Sequence, residues 1–438
     1  MTAPLDWIST PSGAGLRGEI AVPGDKSISH RAIMLASLAD GTSRIRGFLE
    51  GEDTFATAAI FARMGVCIES PSLGERIVHG VGLHGLRTPE GELDCGNAGT
   101  AMRLLMGLLA GQQFVSVLIG DASLSNRPMR RVIEPLTAMG ARIDANDGER
   151  PPLRIAGNPQ LHGIGYRSPV ASAQVKSAIL LAGLYAHGET QVIEPQPTRD
   201  YTEQMLSAFG WPIEFDPGRA RVPGGHRLRA TDVDIPADFS SAAFLIVAAT
   251  LIRGSKLRLR SVGMNPRRTG LLHVLRAMGA DIVVENSRES GGEPVTDLIV
   301  RHAPLRGVEV TTQHVADMID EFPILFVAAA FAEGTTIIRD AAELRVKESD
   351  RITVMAAGLR KLGVRIEETP DGAIIEGGAL RGGEVDAAGD HRCAMAFAVA
   401  GAVARGDVRI HDCANVATSF PGFVETANVC GLRVVPVA

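Results

Sequence analysis

The chain has 438 residues, 45% of them apolar but only 4% aromatic, with 49 glycines and a formal net charge of −6. That length supplies core for two or three domains. The acidic balance argues against general nucleic-acid binding and against attraction to an anionic membrane surface. No apolar run is long enough to span a bilayer, Phe239 to Ile252 being the longest candidate, and the N-terminus lacks the basic flank and apolar core of a signal peptide. Five cysteines without CxxC spacing (Cys67, Cys95, Cys393, Cys413 and Cys430) read as buried free thiols in a reducing cytoplasm, not as ligands or disulfides.

The first informative stretch is Val22-Pro-Gly-Asp-Lys-Ser-Ile-Ser-His-Arg31. A Pro-Gly-Asp turn leads into an apolar run from Ile33 to Leu38, so the spacing predicts a helix capped by Asp25 or Ser27. Lys26 and Ser27 then lie in the first turn, where free N–H groups and the helix dipole favour an anion, and Arg31 shares a face with Ser27. The three make a pocket for phosphate or carboxylate, although the Gly-Asp-Lys-Ser sequence lacks P-loop spacing. A capped helix with solvated cations would look the same in isolation.

The rest of the chain repeats this unit about every 70–80 residues. A polar turn opens an Ala/Leu-rich helix, a Gly ends it, and a β-branched strand follows. A second helix then ends in a Met-Gly-Ala-like stop before another strand. The helices open at GDKSISHRA, GNAGTAMR, ASAQVKSA, ADFSSAAF, IDEFPILF and GDHRCAMAF, giving six copies. The first helix of each copy is apolar nearly all round and is expected to be buried, while the second is amphipathic and is expected to face solvent. The fold class is therefore mixed α/β, built of βαβαββ-like repeats. Six copies exceed one core, so two domains are expected: residues 22–232 with the first three copies, and residues 1–21 plus 233–438 with the last three. The strand before Val22 is expected to pair with the second half.

Polar residues recur at equivalent helix starts. First helices open with Lys26 and Ser27; Asn97, Gly99 and Thr100; Ser172 and Gln174; Asp238 and Ser240; Asp320 and Glu321; and Asp390, His391 and Arg392. Second helices open with Asp53; Arg127; Arg199 and Asp200; Asn265 and Arg267; Lys347, Glu348 and Arg351; and Thr418 and Ser419. Each has an ordinary reading alone: Arg127 as a solvated turn residue, Ser172 as a plain cap, His391 as a hydrogen-bonded structural histidine. Together they point to a cationic cleft between two such faces, for a ligand with several negative charges. No metal constellation, G-x-S-x-G elbow or Rossmann glycine motif is present. Acid–base chemistry on a polyanion, without a covalent nucleophile or cofactor, fits what remains.

The motifs PGDKSISHRA (23–32), GNAGTAMR (96–103), NRPM (126–129), ASAQVKSA (171–178), IDEFP (319–323), RVKESDRI (345–352) and DHRCAMAF (390–397) make the chain resemble the 5-enolpyruvylshikimate-3-phosphate synthases over essentially its whole length. TRDYTEQML (198–206), with Arg199 where class I members usually carry Ser, resembles the class II branch. The resemblance implies the two-domain inverted α/β barrel of enolpyruvyl transferases. It also implies transfer of the enolpyruvyl group of phosphoenolpyruvate to the 5-hydroxyl of shikimate 3-phosphate by addition–elimination, in a cytoplasmic monomer with no metal, cofactor, nucleic acid or membrane partner.

By the same resemblance, shikimate 3-phosphate is held by Lys26, Ser27, Arg31, Ser172, Ala173, Gln174, Arg199, Asp320 and Lys347. Phosphoenolpyruvate is held by Lys26, Gly99, Arg127, Gln174, Arg351 and Arg392, and Lys26, Asp320 and Glu348 are the catalytic candidates. Gly99 keeps the small residue that leaves room for glyphosate, so inhibition is expected. Two positions depart from the common pattern: Ala417 stands where many members carry Lys, and Glu343 where many carry Asn. A UDP-N-acetylglucosamine enolpyruvyl transferase is the nearest alternative, but Lys26-Ser27 replaces its Lys-Asn pair and no cysteine falls in its loop. A non-catalytic anion-binding scaffold is the other, against which the intact Lys26, Asp320, Lys347 and Glu348 set argues.

Overall fold

The structure, a computed structural model, describes residues 5–290 and 292–437. Its α-helices come in six pairs along the chain: α1 (Lys26–Leu38) with α2 (Glu52–Arg63), α3 (Gly99–Ala110) with α4 (Arg130–Ala138), α5 (Ala173–Gly183) with α6 (Tyr201–Ala208), α7 (Phe239–Leu251) with α8 (Gly270–Ala277), α9 (Phe322–Phe331) with α10 (Arg351–Lys361), and α11 (His391–Val403) with α12 (Phe423–Cys430). Among the described residues six separate sheets accompany them, one to a copy.

The second copy shows the pattern. Leu93–Asp94 runs parallel to Val115–Ile119, which pairs antiparallel with Arg150–Ala156, which in turn takes Arg142–Asn146 on its far side. The third copy repeats it with Gly165–Arg167, Glu189–Ile193, Arg219–Pro223 and Glu214–Asp216. In the first and fourth copies a Pro-containing turn directly precedes the first helix, so the parallel edge comes from elsewhere. Leu228–Arg229 and Val233–Asp234 supply it to Ala39–Arg46, and Arg17–Ile20 supplies it to Lys256–Gly263. Asp6–Ser9 enters the last sheet between Val408–His411 and Val434–Val437, antiparallel to both. The segment before Val22 thus pairs with the second half, as two strands in two sheets. Covering edges in this way also removes templates for aggregation.

The chain divides into two compact units. One is Gly24–Ile235 with Ser290, the last residue of the strand Asp281–Ser290, and the turn residue Gly292; the other takes the chain up to Pro23, Pro236–Glu289 and the chain from Glu293 onward. Each has its own apolar core. The first helices are the centre of these cores: every residue of α7 is buried, and α7, α9 and α11 pack on one another. In the Gly24–Ile235 unit α3 packs on α5 and α1. The second helices are less uniform than their sequences suggest. Tyr201, Thr202, Glu203, Met205 and Leu206 of α6 are all buried, because Thr202 and Glu203 serve as partners for buried cations. The cysteines also differ from expectation in one respect: all are free, but Cys67 is exposed while the other four are buried. Among the described residues no helix is long and apolar enough to cross a membrane.

The close approach of α3 and α5 rests on Gly107, where a Cβ would lie 2.0 Å from the Ala178 carbonyl oxygen. Gly107→Ala is expected to push the two backbones apart and cost about 1–3 kcal/mol, the usual range for overpacking. A fall in the urea unfolding midpoint of the full-length protein checks this; an unchanged midpoint would contradict the tight contact.

Candidate active site

In the Gly24–Ile235 unit the site begins at the cap of α1. Asp25 accepts the Ile28 N–H at 2.9 Å and the Tyr201 hydroxyl at 3.2 Å. That leaves Lys26 and Ser27 in the first turn, as the spacing predicted. The Lys26 ammonium lies 2.5 Å from Asp53, in the first turn of α2. One turn further along α1, the buried Arg31 donates to the hydroxyls of Thr202 (2.7 Å) and Ser177 (2.9 Å) and to the Ser27 carbonyl (3.0 Å). Burial lowers its pKa to about 10, with Glu203 and Asp25 opposing and Arg199 adding to the fall, so it remains charged at neutral pH. Arg199 thus acts electrostatically on Arg31.

A second cluster forms at the starts of α3 and α5. Arg103 donates to the Gln174 amide oxygen at 2.6 Å, and the Gln174 amide donates to Thr100 at 2.8 Å. Arg127, which lies three residues ahead of α4 and not at its start, donates to Asn97 (2.8 Å) and Ser123 (3.1 Å). A Cβ on Gly99 would sit 2.9 Å from Arg127 Nη1 and 3.2 Å from Arg103 Nη1. Gly99, Arg127 and Gln174 therefore share one neighbourhood with Arg103, the last residue of the GNAGTAMR motif, whose role the motif alone does not reveal. Ser172 caps α5, accepting from the Val175 N–H at 3.5 Å, and Ala173 begins it. Beneath this cluster, buried Lys176 pairs with Glu194 (2.8 Å) and Glu203 (2.7 Å), and Glu194 also accepts the Thr198 N–H and hydroxyl. Burial pulls the Lys176 pKa down, but Glu203 and Glu194 together hold it above its ordinary value. The triad thereby fixes the backbone next to Arg199.

In the other unit the centre is Arg351, whose side chain is 1% exposed. It donates to Asp390 (2.8 Å), Asp320 (3.2 Å) and Glu348 (2.6 Å). Burial works against its charge, but Asp390, Glu348 and Asp320 hold its pKa well above the ordinary value. Asp390 is also the cap of α11, accepting from the N–H groups of Arg392 (2.9 Å) and Cys393 (3.4 Å). Asp320 precedes α9, with Glu321 in the capping position. It meets Arg268 at 3.3 Å and Arg392 at 3.9 Å, and its carbonyl accepts from Arg392 at 3.3 Å.

Lys347 and Glu348 lie in the segment before α10, not in its first turn. Lys347 donates to Glu343 at 3.3 Å. Burial lowers the Lys347 pKa and Arg351 adds to the fall, while Glu343, Asp320 and Glu348 oppose it. Glu343, where many members of the resembled family carry Asn, is therefore a counter-ion for Lys347. Sequence reasoning chose Arg267 and missed Arg268. Arg267 pairs with Asp317 at 3.5 Å, whereas the buried Arg268 joins Asp238 (3.1 Å), Ser240 (2.7 Å) and Asp320. Ser240 in turn donates a hydrogen bond from its hydroxyl to the Glu321 carboxylate.

The sequence profile of the family described as EPSP synthase (3-phosphoshikimate 1-carboxyvinyltransferase) matches residues 11–427. The 3-phosphoshikimate 1-carboxyvinyltransferase of Xanthomonas oryzae pv. oryzae is 65% identical over 425 residues, covering 97% of this chain and 96% of that protein. An EPSP synthase structure from Acinetobacter baumannii superposes with a TM-score of 0.89 at 49% identity, over 99% of this chain and 100% of the other. The enolpyruvyl transferase NikO from Streptomyces tendae shares the fold, with a TM-score of 0.80 at 20% identity over 99% of each chain.

The first turns of α1 carry a pH-sensitive consequence. His30 is buried with Nδ1 2.7 Å from the Thr57 hydroxyl. Burial lowers its pKa well below the ordinary 6.5, and Lys26 and Arg31 add to the fall. The folded chain therefore refuses a proton that the unfolded chain accepts below about pH 6.5. Stability from this residue is full above that value and declines as pH falls beneath it, by about 1.4 kcal/mol per pH unit until His30 itself titrates. Denaturant unfolding at a series of pH values is expected to show a shallower acid decline in His30→Gln than in the parent; equal slopes would contradict a neutral His30.

Proposed function

The chain belongs to the EPSP synthase family, the 3-phosphoshikimate 1-carboxyvinyltransferases, and from that premise we propose which residues carry each step of its reaction. The reaction transfers the 1-carboxyvinyl group of phosphoenolpyruvate to the 5-hydroxyl of shikimate 3-phosphate and releases phosphate, within the shikimate pathway. The hydroxyl oxygen bonds C2 of phosphoenolpyruvate while C3 takes a proton. The tetrahedral intermediate then loses a C3 proton as the C2–O bond to phosphate breaks.

Both substrates carry a phosphate and a carboxylate, which guanidinium groups recognise by paired N–H donors. In this reading Lys26, Ser27, Arg31, Ser172, Ala173, Gln174, Arg199, Asp320 and Lys347 hold shikimate 3-phosphate. Lys26, Gly99, Arg127, Gln174, Arg351 and Arg392 hold phosphoenolpyruvate. Asp320 takes the proton of the 5-hydroxyl, and Lys26 and Glu348 handle the C3 proton and the leaving phosphate. The observation that carries the assignment is Arg351, which brings two carboxylates of separate segments, Asp320 and Glu348, onto one buried guanidinium. The three guanidiniums around Asp320 supply counter-charge for a carboxylate that must act as a base. We read the enzyme as a cytoplasmic monomer, its free cysteines fitting a reducing compartment.

Phosphate release measured with shikimate 3-phosphate and phosphoenolpyruvate, each omitted in turn, tests the reaction. Release is expected only when both are present. Asp320→Asn is expected to lower kcat by roughly 10²–10⁴-fold, the usual worth of a positioned acid or base, with circular dichroism unchanged. Near-normal turnover would remove Asp320 from the role.

The lowered pKa of Lys347 makes it lose its charge at a lower pH than an ordinary lysine. KM for shikimate 3-phosphate is therefore expected to begin rising at a lower pH than the loss of an ordinary lysine's charge, near 10.5, would bring. In Lys347→Arg, whose charge persists, that rise should disappear; a persistent rise would assign it to another group.

Gly99→Ala would place a methyl against Arg127 and Arg103. It is expected to raise KM for phosphoenolpyruvate by roughly tenfold, ~1.4 kcal/mol, with a smaller change for shikimate 3-phosphate, and to weaken inhibition by glyphosate. Equal changes in both KM values would argue against Gly99 lining the phosphoenolpyruvate subsite.

A further inference from the structure

We propose that the solvent-facing side of the first copy's sheet holds a three-ligand site for a borderline-soft divalent metal, Zn²⁺ by preference, made by Cys67, Glu69 and His79. Sequence spacing hides this set, because Cys67 and His79 come from different strands. Antiparallel pairing of Cys67–Glu69 with Glu75–Val81 sets Cys67 directly opposite His79 and Ile68 opposite Val78. Val78 is fully buried and Ile68 packs against the same core. Alternation along each strand then turns Cys67, Glu69 and His79 to the other face. One ligand atom from each lies within 4.8 Å of the others, the one such trio of His, Cys and carboxylate side chains among the described residues.

The ring of His79 is already oriented. Its Nδ1 lies 3.1 Å from the hydroxyl of Thr42, its partner on Ala39–Arg46, and its Nε2 lies 2.6 Å from Glu69. Metal-binding histidines donate the far ring N–H to an outer-shell acceptor, most often a carboxylate, a backbone carbonyl or water, and the Thr42 hydroxyl oxygen stands in that place here. Thiolate, imidazole and carboxylate are each zinc ligands, whereas Mg²⁺ and Ca²⁺ take oxygen. The metal takes Nε2 of the neutral His79 ring, whose single hydrogen then lies on Nδ1 and is donated to the Thr42 hydroxyl oxygen, and the Cys67 thiol gives up its proton to solvent. Thiolate and carboxylate together neutralise a divalent ion, and exposure leaves a fourth position for water. Proton release makes binding tighten as pH rises.

Cys67 is the exposed cysteine of the chain, the others being buried, so alkylation of the native protein reports on it alone. The full-length protein, reduced and stripped of metal, is treated with iodoacetamide with and without Zn²⁺, and the labelled residue is identified by mass. Micromolar Zn²⁺ is expected to slow labelling of Cys67 by roughly tenfold or more, and Mg²⁺ to leave it unchanged. Co²⁺ is expected to give a thiolate-to-cobalt charge-transfer band that Cys67→Ser lacks. His79→Ala and Glu69→Gln, both at half-exposed or exposed positions that the fold tolerates, are expected to restore fast labelling in Zn²⁺. Labelling that ignores Zn²⁺ would overturn the proposal. So would protection that survives in His79→Ala, since a lone surface thiol would then be the whole site.

Discussion

A helix that is apolar on every side meets polar surroundings only at its ends, and this constraint organises the whole molecule. Burying α1, α7 and α11 leaves their first N–H groups to be satisfied by the residue just ahead of each. In all three that residue is an aspartate: Asp25, Asp238 and Asp390. A carboxylate buried beside an apolar core needs a further partner, because its second oxygen has left water. On that second oxygen Asp25 takes the Tyr201 hydroxyl and Asp390 takes Arg351, while Arg268 shares with the Ser240 N–H the capping oxygen of Asp238. The demand for burial thus generates, at the same end of each equivalent helix, a fixed set of polar and cationic groups.

Those cations would repel one another without the carboxylates between them. Two unit charges about 4 Å apart interact by roughly 4 kcal/mol at an effective dielectric of ~20, several times the ~1 kcal/mol net worth of a hydrogen bond. Charge balance, and not hydrogen-bond count, therefore decides which arrangements persist. Lys26 leans on Asp53, Lys347 on Glu343, and Arg351 on three acids. An anion that reaches any of these cations competes for it with a carboxylate already in place: Asp53 and Glu343 as counter-ions, Asp320 and Glu348 as proposed catalytic groups, and Asp390 as a cap.

Much of this was legible in the sequence because the repeat unit carries its own punctuation. A glycine stop after an Ala/Leu-rich run marks each first helix, and the polar residue before it marks the cap. What stayed hidden depends on directions that a linear pattern does not contain. Arg267 and Arg268 are adjacent, and only the backbone's course before α8 decides which one turns inward to Asp320. Lys176 and Glu203 sit on helices whose patterns look ordinary, yet they meet 2.7 Å apart in the interior. Cys67 and His79 become neighbours through strand register alone. The pairing of the segment before Val22 with the second half was expected, but its division into two strands that enter the fourth and sixth copies' sheets was not.

That pairing imposes an order on the growing chain. Ser9 donates its hydroxyl to the carbonyl of Ala398, 389 residues away, and its strand lies between partners near the far end of the sequence. The sheet edge of the Gly24–Ile235 unit, by contrast, is closed by its own last strands at Leu228–Arg229 and Val233–Asp234. As the ribosome releases the chain from its N-terminus, the nested unit has all its parts while the unit that opens the sequence is still waiting for its final sheet. These strands emerge well before their partners and are among the last to find their places.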